Sequence, residues 1–174
     1  MPLTPHVRML TRYSAWANAR LFRALGGFAA AGNTPGAASS LERMLGTLNH
    51  AHHIDLIWKA HLQHTPHGFG SRTPEVLLPL DALQAAQAAV DDWYVGYADG
   101  LSDEAHEEVV SFAFVDGGAG SMTRGEMLLH IVNHKTYHRG YVAEMLYRAE
   151  SRPPVMDLPV FLRDAPPGVR AGHR

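Results

Sequence analysis

The stretch Thr123-Arg124-Gly125-Glu126-Met127-Leu128-Leu129-His130-Ile131-Val132-Asn133-His134-Lys135-Thr136-Tyr137-His138-Arg139-Gly140-Tyr141-Val142-Ala143-Glu144-Met145 reads as one long amphipathic helix, and it decides the fold. Thr123 and Glu126 have the spacing of a capping box, in which hydroxyl and carboxylate satisfy each other's free backbone N–H groups. The pattern continues to about Ala149. At about 100° per residue, Met127, Ile131, His134, His138, Val142 and Met145 fall within about 80° of arc. Asn133, Thr136, Arg139 and Gly140 take the opposite side. Two histidines therefore stand one turn apart inside an apolar stripe.

An imidazole buried in such a stripe needs hydrogen-bond partners or an ion, because an unsatisfied polar group costs about 1–3 kcal/mol. Side chains at i and i+4 project in parallel and converge on one ion, the ligand geometry of an H-x-x-x-H helix. The competing reading is a pair of core histidines, each bonded to a carbonyl or a tyrosine. Lys135 stands where a zincin peptidase needs a glutamate base, which disfavours proteolysis. His130, one turn earlier and about 40° aside, reads as a supporting or surface residue rather than a third ligand.

Three more long helices complete the pattern. The first spans about Pro5 to Leu25, with Met9, Tyr13, Trp16 and Arg20 on one face and Gly26-Gly27 as a stop. A loop over Ala30–Ala38 follows. The second helix starts near Ser39 or Ser40, with Ser39 and Glu42 spaced as a capping box, and runs to about His64. A polar, proline-containing connection leads to about Pro79. The third helix spans about Asp81 to Gly100, with Asp81 as N-cap. The run Glu108–Val115 is strand-like and meets the turn signal Asp116-Gly117-Gly118, so a short β-hairpin precedes the last helix. The tail to Arg174 reads as mostly irregular. The expected architecture is all-α: a four-helix bundle with long crossover connections, residues 1–174 forming one domain.

A third ligand should come from a neighbouring helix. The second helix offers His50, His52, His53 and His61, with Asp55 among them. Leu41, Leu45, Leu48, His52 and Leu56 share one stripe, and His50, Ile54, Ile57 and His61 share the opposite one. Periodicity leaves His50 and His52 equally placed.

Composition narrows the function. The 174 residues carry a formal charge of −2 and no Lys/Arg-rich run, so no nucleic-acid partner is expected. No apolar stretch approaches the roughly 20 residues that span a bilayer, and the N-terminus lacks a signal-peptide core, so a cytoplasmic protein without a membrane partner is expected. The chain has no cysteine, which excludes a catalytic thiol, a disulfide framework and any thiolate metal site. Its 12 histidines are the unusual number.

The pattern Tyr13-x-x-Trp16-Ala17-Asn18-x-x-Leu21, then Leu48-Asn49-His50 with Asp55 and Trp58, then Asn133-His134-x-x-Tyr137-His138-Arg139-Gly140 closely resembles the DinB/YfiT-like superfamily, damage-inducible proteins not to be confused with the DNA polymerase of similar label. The tail Pro153-Pro154 and Asp157–Asp164 is similar to the end of one DinB subgroup. The resemblance covers nearly the whole chain. It implies a four-helix bundle, a homodimer and a divalent transition metal, with zinc or nickel foremost, held by His50, His134 and His138. It also implies a small-molecule substrate or low-molecular-weight thiol as partner, since some relatives are S-transferases or isomerases using mycothiol, bacillithiol or glutathione. One departure concerns the residue after His-Arg-Gly, often Gln in relatives and here Tyr141.

Three neutral imidazoles leave a divalent ion its full charge and an open position, the catalytic type of site. Asn49, Asp55, Tyr137 and Arg139 are candidates for a supporting role around the ligands. Asp55 could orient a ligand histidine, and Arg139 reads otherwise as a surface cap or pair. Trp16 and Trp58 read as core. Three functions follow: a metal-dependent thiol S-transferase or hydrolase, a non-catalytic metal-binding stress or interaction module, and a plain bundle with satisfied core histidines.

Overall fold

The computed structural model describes residues 4–32 and 36–165. Four long helices carry it: α1 (Thr4–Ala31), α2 (Ala37–Leu62), α3 (Leu80–Gly100) and α5 (Arg124–Arg148). A one-turn helix, α4 (Asp103–His106), and an antiparallel hairpin, β1 (Val109–Ala113) with β2 (Ala119–Thr123), join α3 to α5. A short helix α6 (Leu158–Asp164) closes the described chain. α1 packs chiefly on α3 and α5, and α2 packs on the same two. No helix among the described residues is long and apolar enough to cross a membrane.

The hairpin and the capping box appear where the sequence places them. Glu126 N–H donates to Thr123 Oγ1 at 3.1 Å, and Thr123 N–H donates to Glu126 Oε2 at 2.7 Å. Other boundaries differ. α1 runs through Gly26-Gly27, because Phe28 turns back into a core of Leu21, Phe22 and Leu25. That burial offsets the cost of about 1 kcal/mol per helical glycine. α2 begins earlier, after Gly36 at φ 85°, and Ser39 Oγ donates to the Gly36 carbonyl instead of forming a capping box. α3 starts after Pro79, which leaves Asp81 inside the first turn. Residues 33–35 of the expected loop and the end of the tail lie outside the described residues.

The tail is ordered as far as α6, contrary to the irregular reading. The α1 face of Met9, Tyr13 and Trp16 receives Phe161, and the Tyr13 hydroxyl donates to the Met156 carbonyl at 2.8 Å. Arg20, on the same face, lies over the Trp16 ring and pairs with Asp164 at 3.8 Å. A seven-residue helix is marginal alone, so this docking and not periodicity creates it.

Two apolar cores fill the bundle. One lies under the hairpin and holds Ile54, Ile57, Trp58, Met127 and Ile131. The other lies toward the opposite end and holds Met44, Leu48, Leu83, Val142 and Leu146. Between them all four long helices contribute buried polar side chains. Lys135 Nζ pairs with Asp91 at 2.6 Å and Asp55 at 2.9 Å. Gln87 Nε2 donates to both carboxylates, and its carbonyl oxygen accepts from His52 Nδ1 at 3.0 Å. Asn18 bridges Asp91 to Arg139, whose guanidinium also donates to Ser14. Two cations and two carboxylates thus share one interior layer. Burial still pushes Asp55 up to about 6, and its Oδ1 has no hydrogen-bond partner.

Removing one member of a buried ion cluster strands the others, at a typical cost of about 3–5 kcal/mol. Lys135→Met should lose about that much stability in chemical denaturation. Arg148→Ala, which removes an exposed i,i+4 pair with Glu144, should leave the midpoint unchanged. Equal midpoints for both variants would show that the interior layer carries no such weight.

Candidate metal centre

The ion layer fixes how α5 is turned. Lys135 and Arg139 are only 4% and 3% exposed and point into the bundle. The stripe of His134 and His138 lies one residue, about 100°, around the helix. The buried face centres on Lys135, Leu128 and Leu146, and the two histidines sit at its edge, half-buried, where α5 meets α2. The expected outward placement of Arg139 is therefore wrong. A long cation enters the interior when partners wait there, and apolar periodicity counts only apolar residues.

From α2, His50 completes a cluster with His134 and His138. One ring nitrogen from each lies within 4.8 Å of the other two. The His50 ring centroid is 5.5 Å from that of His134 and 4.9 Å from that of His138. His134 and His138 face each other through Nε2 at 3.1 Å. Their Nδ1 atoms are buried with no hydrogen-bond partner, so the chemistry left to both rings is at Nε2. Two nitrogens held about 2.0–2.1 Å from one ion in tetrahedral geometry stand about 3.3 Å apart, so the pair fits a shared ion.

His50 Nδ1 lies 3.0 Å from the Arg72 carbonyl. A carbonyl only accepts, so Nδ1 carries the proton and Nε2 keeps its lone pair for an ion. This is the outer partner that ligand histidines usually have, and it comes from the α2–α3 connection. Sequence carries no signal for it, because any residue supplies a carbonyl. The connection is tied to α2 twice more: Leu78 is held at both N–H and C=O by the Asn49 side chain, and the Ser71 carbonyl accepts from His53 Nε2 at 2.8 Å.

The other candidates separate clearly. Asp55 is fully buried against Lys135 and Gln87 and orients no ligand of the cluster, contrary to its expected role. His52, the rival of His50, turns inward to Gln87. Arg139 bonds Ser14, Asn18 and Thr136, away from the cluster. Tyr137 is exposed and bonds only Tyr141, although its ring packs on His138. Asn49 serves the connection. His130 lies between Trp58 and His134 in tilted contact with both, with ring centroids at 4.6 Å and 5.8 Å.

Two clefts meet at the histidines. One, of about 260 Å³, is lined by His50 and His134 and by Trp58, His61, His130, Phe114 and Arg72 among others. The second, of about 520 Å³, is lined by His50 and His138 with Arg43, Tyr137 and Tyr141. Trp58 is thus a core residue, as expected, that also walls a cleft.

Burial favours, for His134 and His138, the neutral form that a ligand needs. His134 is lowered to about 3, by burial first and by repulsion from His138, His130, His50 and Lys135 second. His138 is lowered by burial and by His50. A histidine whose pKa is lower folded than unfolded excludes a proton from the native state. Its contribution is full above about 6.5 and is lost as pH falls toward 3. Asp55, raised to about 6, has the opposite sign over its own range. The test is therefore a difference: metal-free wild type should lose more stability than His134→Asn between pH 6.5 and pH 4. Parallel pH profiles in denaturation would refute the depressed value.

A family model described as DinB family matches residues 3–169, nearly the whole chain. Nothing matches among curated proteins or among solved structures.

Proposed function

The chain belongs to the DinB family, and from that premise we propose that it binds one divalent transition metal, zinc or nickel, through His50, His134 and His138 and uses it in a thiol-transfer or hydrolytic reaction. The observation that carries this reading is the convergence of three imidazoles from two helices within 4.8 Å, on a rim that two clefts reach. Bound there, the ion would lower the pKa of a coordinated water to about 7 or hold a thiolate as nucleophile.

The chain's own residues supply the rest. Arg72 C=O sets the His50 tautomer, and Lys135 and Arg139 set the rotation that brings His134 and His138 to the rim. His50 lines both clefts, His134 the smaller and His138 the larger. Access from two sides favours two reactants, hence transfer over hydrolysis. In transfer the thiolate sulfur bonds to an electrophilic carbon, the leaving group departs with the bonding electron pair, and the thiol proton passes to water. A low-molecular-weight thiol is the partner of this reading, and a cytoplasmic homodimer is its setting. A cysteine-free composition suits a reducing compartment, and exposed Tyr147 on α5, which lines neither cleft, suits pairing of copies.

Protein prepared without chelator should contain about one ion per chain by elemental analysis. His134→Ala and His138→Ala should each abolish it, and His50→Ala should reduce it at least tenfold in affinity. His52→Ala should retain it. An ion content far below one, or full retention in the His134 and His138 variants, refutes the site. Metal-dependent turnover of glutathione, bacillithiol or mycothiol with an electrophile should disappear on chelation and return with the ion.

A further inference from the structure

The smaller cleft has a chemical character that the three histidines do not explain. Its walls are apolar and aromatic: Ile54, Ile57 and Trp58 from α2, with Phe114 and Val115 from the hairpin turn. Trp58 is itself held in a fixed aromatic setting, its ring 5.0 Å from Phe112 and 4.6 Å from His130. Rings placed this way offer a flat ligand offset or edge contacts, each worth about 0.5–1.5 kcal/mol beyond the area buried. The volume, about 260 Å³, falls just below the range of about 300–1,000 Å³ that takes drug-sized molecules. A body of one or two rings fits.

The charge of the lining is one-sided. Arg72 is its cation, and no carboxylate lines it. Among the described residues the Arg72 side chain makes no hydrogen bond or ion pair. Arg72 itself is exposed on the α2–α3 connection, whereas arginines set deeper in the bundle are engaged: Arg12 bonds Asp99, Arg124 bonds Glu108, and Arg139 bonds Asn18. An unpaired guanidinium presents a planar fork of donors that matches a carboxylate in two parallel bonds. A single exposed arginine at the edge of an apolar cleft suits a monoanion better than a phosphate, which asks for several donors.

We propose that this cleft binds a small flat apolar carboxylate, its ring against Trp58 and its carboxylate on Arg72. As the identity of a substrate this rests on the reading of the histidines as metal ligands; as binding it does not, because neither Trp58 nor Arg72 needs the ion. The backbone carbonyl of Arg72 holds His50 whatever its side chain, so substitution there leaves the cluster intact.

Calorimetric titration of the full chain with 4-ethylbenzoate and with its neutral isostere 4-ethylbenzamide tests this, metal-free and zinc-loaded, with ion content measured on the same samples. The benzoate should bind about tenfold more tightly than the amide in both forms. Arg72→Met should weaken the benzoate to the level of the amide and leave the amide unchanged. Val115→Trp, which fills the cleft from the partly exposed hairpin turn, should weaken both at least tenfold. Equal affinity for the two probes in the wild type, or no effect of Arg72→Met, overturns the proposal. So does benzoate binding that vanishes without zinc and survives Arg72→Met, because the carboxylate then sits on the ion. Ion content far below one per chain with the benzoate preference intact refutes the metal site alone. Full ion content with no preference refutes the cleft alone.

Discussion

The structure depends on the ion pairs that Lys135 makes with Asp55 and Asp91 in the middle of the bundle. A lysine at 4% exposure stays charged only with carboxylates beside it, and here both lie within 3 Å. Such clusters are weak contributors to net stability, because desolvation consumes most of the Coulombic gain. Their consequence here is geometric. Lys135 and Arg139 occupy one stripe of α5 and must face α1, α2 and α3, where Asn18, Asp55 and Asp91 wait. That leaves one azimuth for the next stripe. His134 and His138 then fall on the side facing His50 and nowhere else.

The same arrangement separates charge from ligands. Both buried carboxylates are spent on Lys135, Gln87 and Asn18. None remains for the histidine cluster, whose one outer partner is a neutral carbonyl. A carboxylate behind a ligand histidine raises its basicity and lowers the charge that an ion presents. Three imidazoles, of which only His50 is backed by a backbone oxygen, keep that charge high, which suits polarising water or holding a thiolate. The α2–α3 connection is part of this design. Asn49, His50 and His53 fasten it in three places along one helix, so a stretch that reads as an irregular linker is anchored to the site.

Legibility in the sequence followed the physics of each signal. The four long helices, the hairpin and the Thr123–Glu126 cap were readable, because periodicity and capping are local. The pair His134 and His138 was readable for the same reason. His50 was not separable from His52 by spacing, since α2 is buried on both sides; what separates them is Gln87 on α3, which takes His52. The inward turn of Arg139 and the engagement of Asp55 were missed, because a charged residue at a buried position is visible only with its partner in place. One signal was present. Lys135 and Arg139 repeat the i,i+4 spacing of His134 and His138 one residue on, beside Leu128, Val142 and Leu146, and two cations amid an apolar helix ask where their counter-charges are. α6 had no such signal, for it exists by docking Phe161 on Tyr13 and Trp16.

These features weigh on whether the site is structural or catalytic. An ion that serves only to hold α2 to α5 would sit best in a closed set of four ligands, away from solvent. Here the donors come from two helices already packed together, with apolar cores above and below and an ion layer between them. The bundle has its own means of cohesion at that level. The three histidines stand outside this layer, half-buried, with a cleft against each side. Placing neutral, unsaturated nitrogens on a rim is costly for folding, since the Nδ1 atoms of His134 and His138 go without partners. A fold that carries this cost beside two cavities is arranged for a ligand to reach the histidines, and the rigid interior of Lys135, Asp55 and Asp91 holds them in place for it.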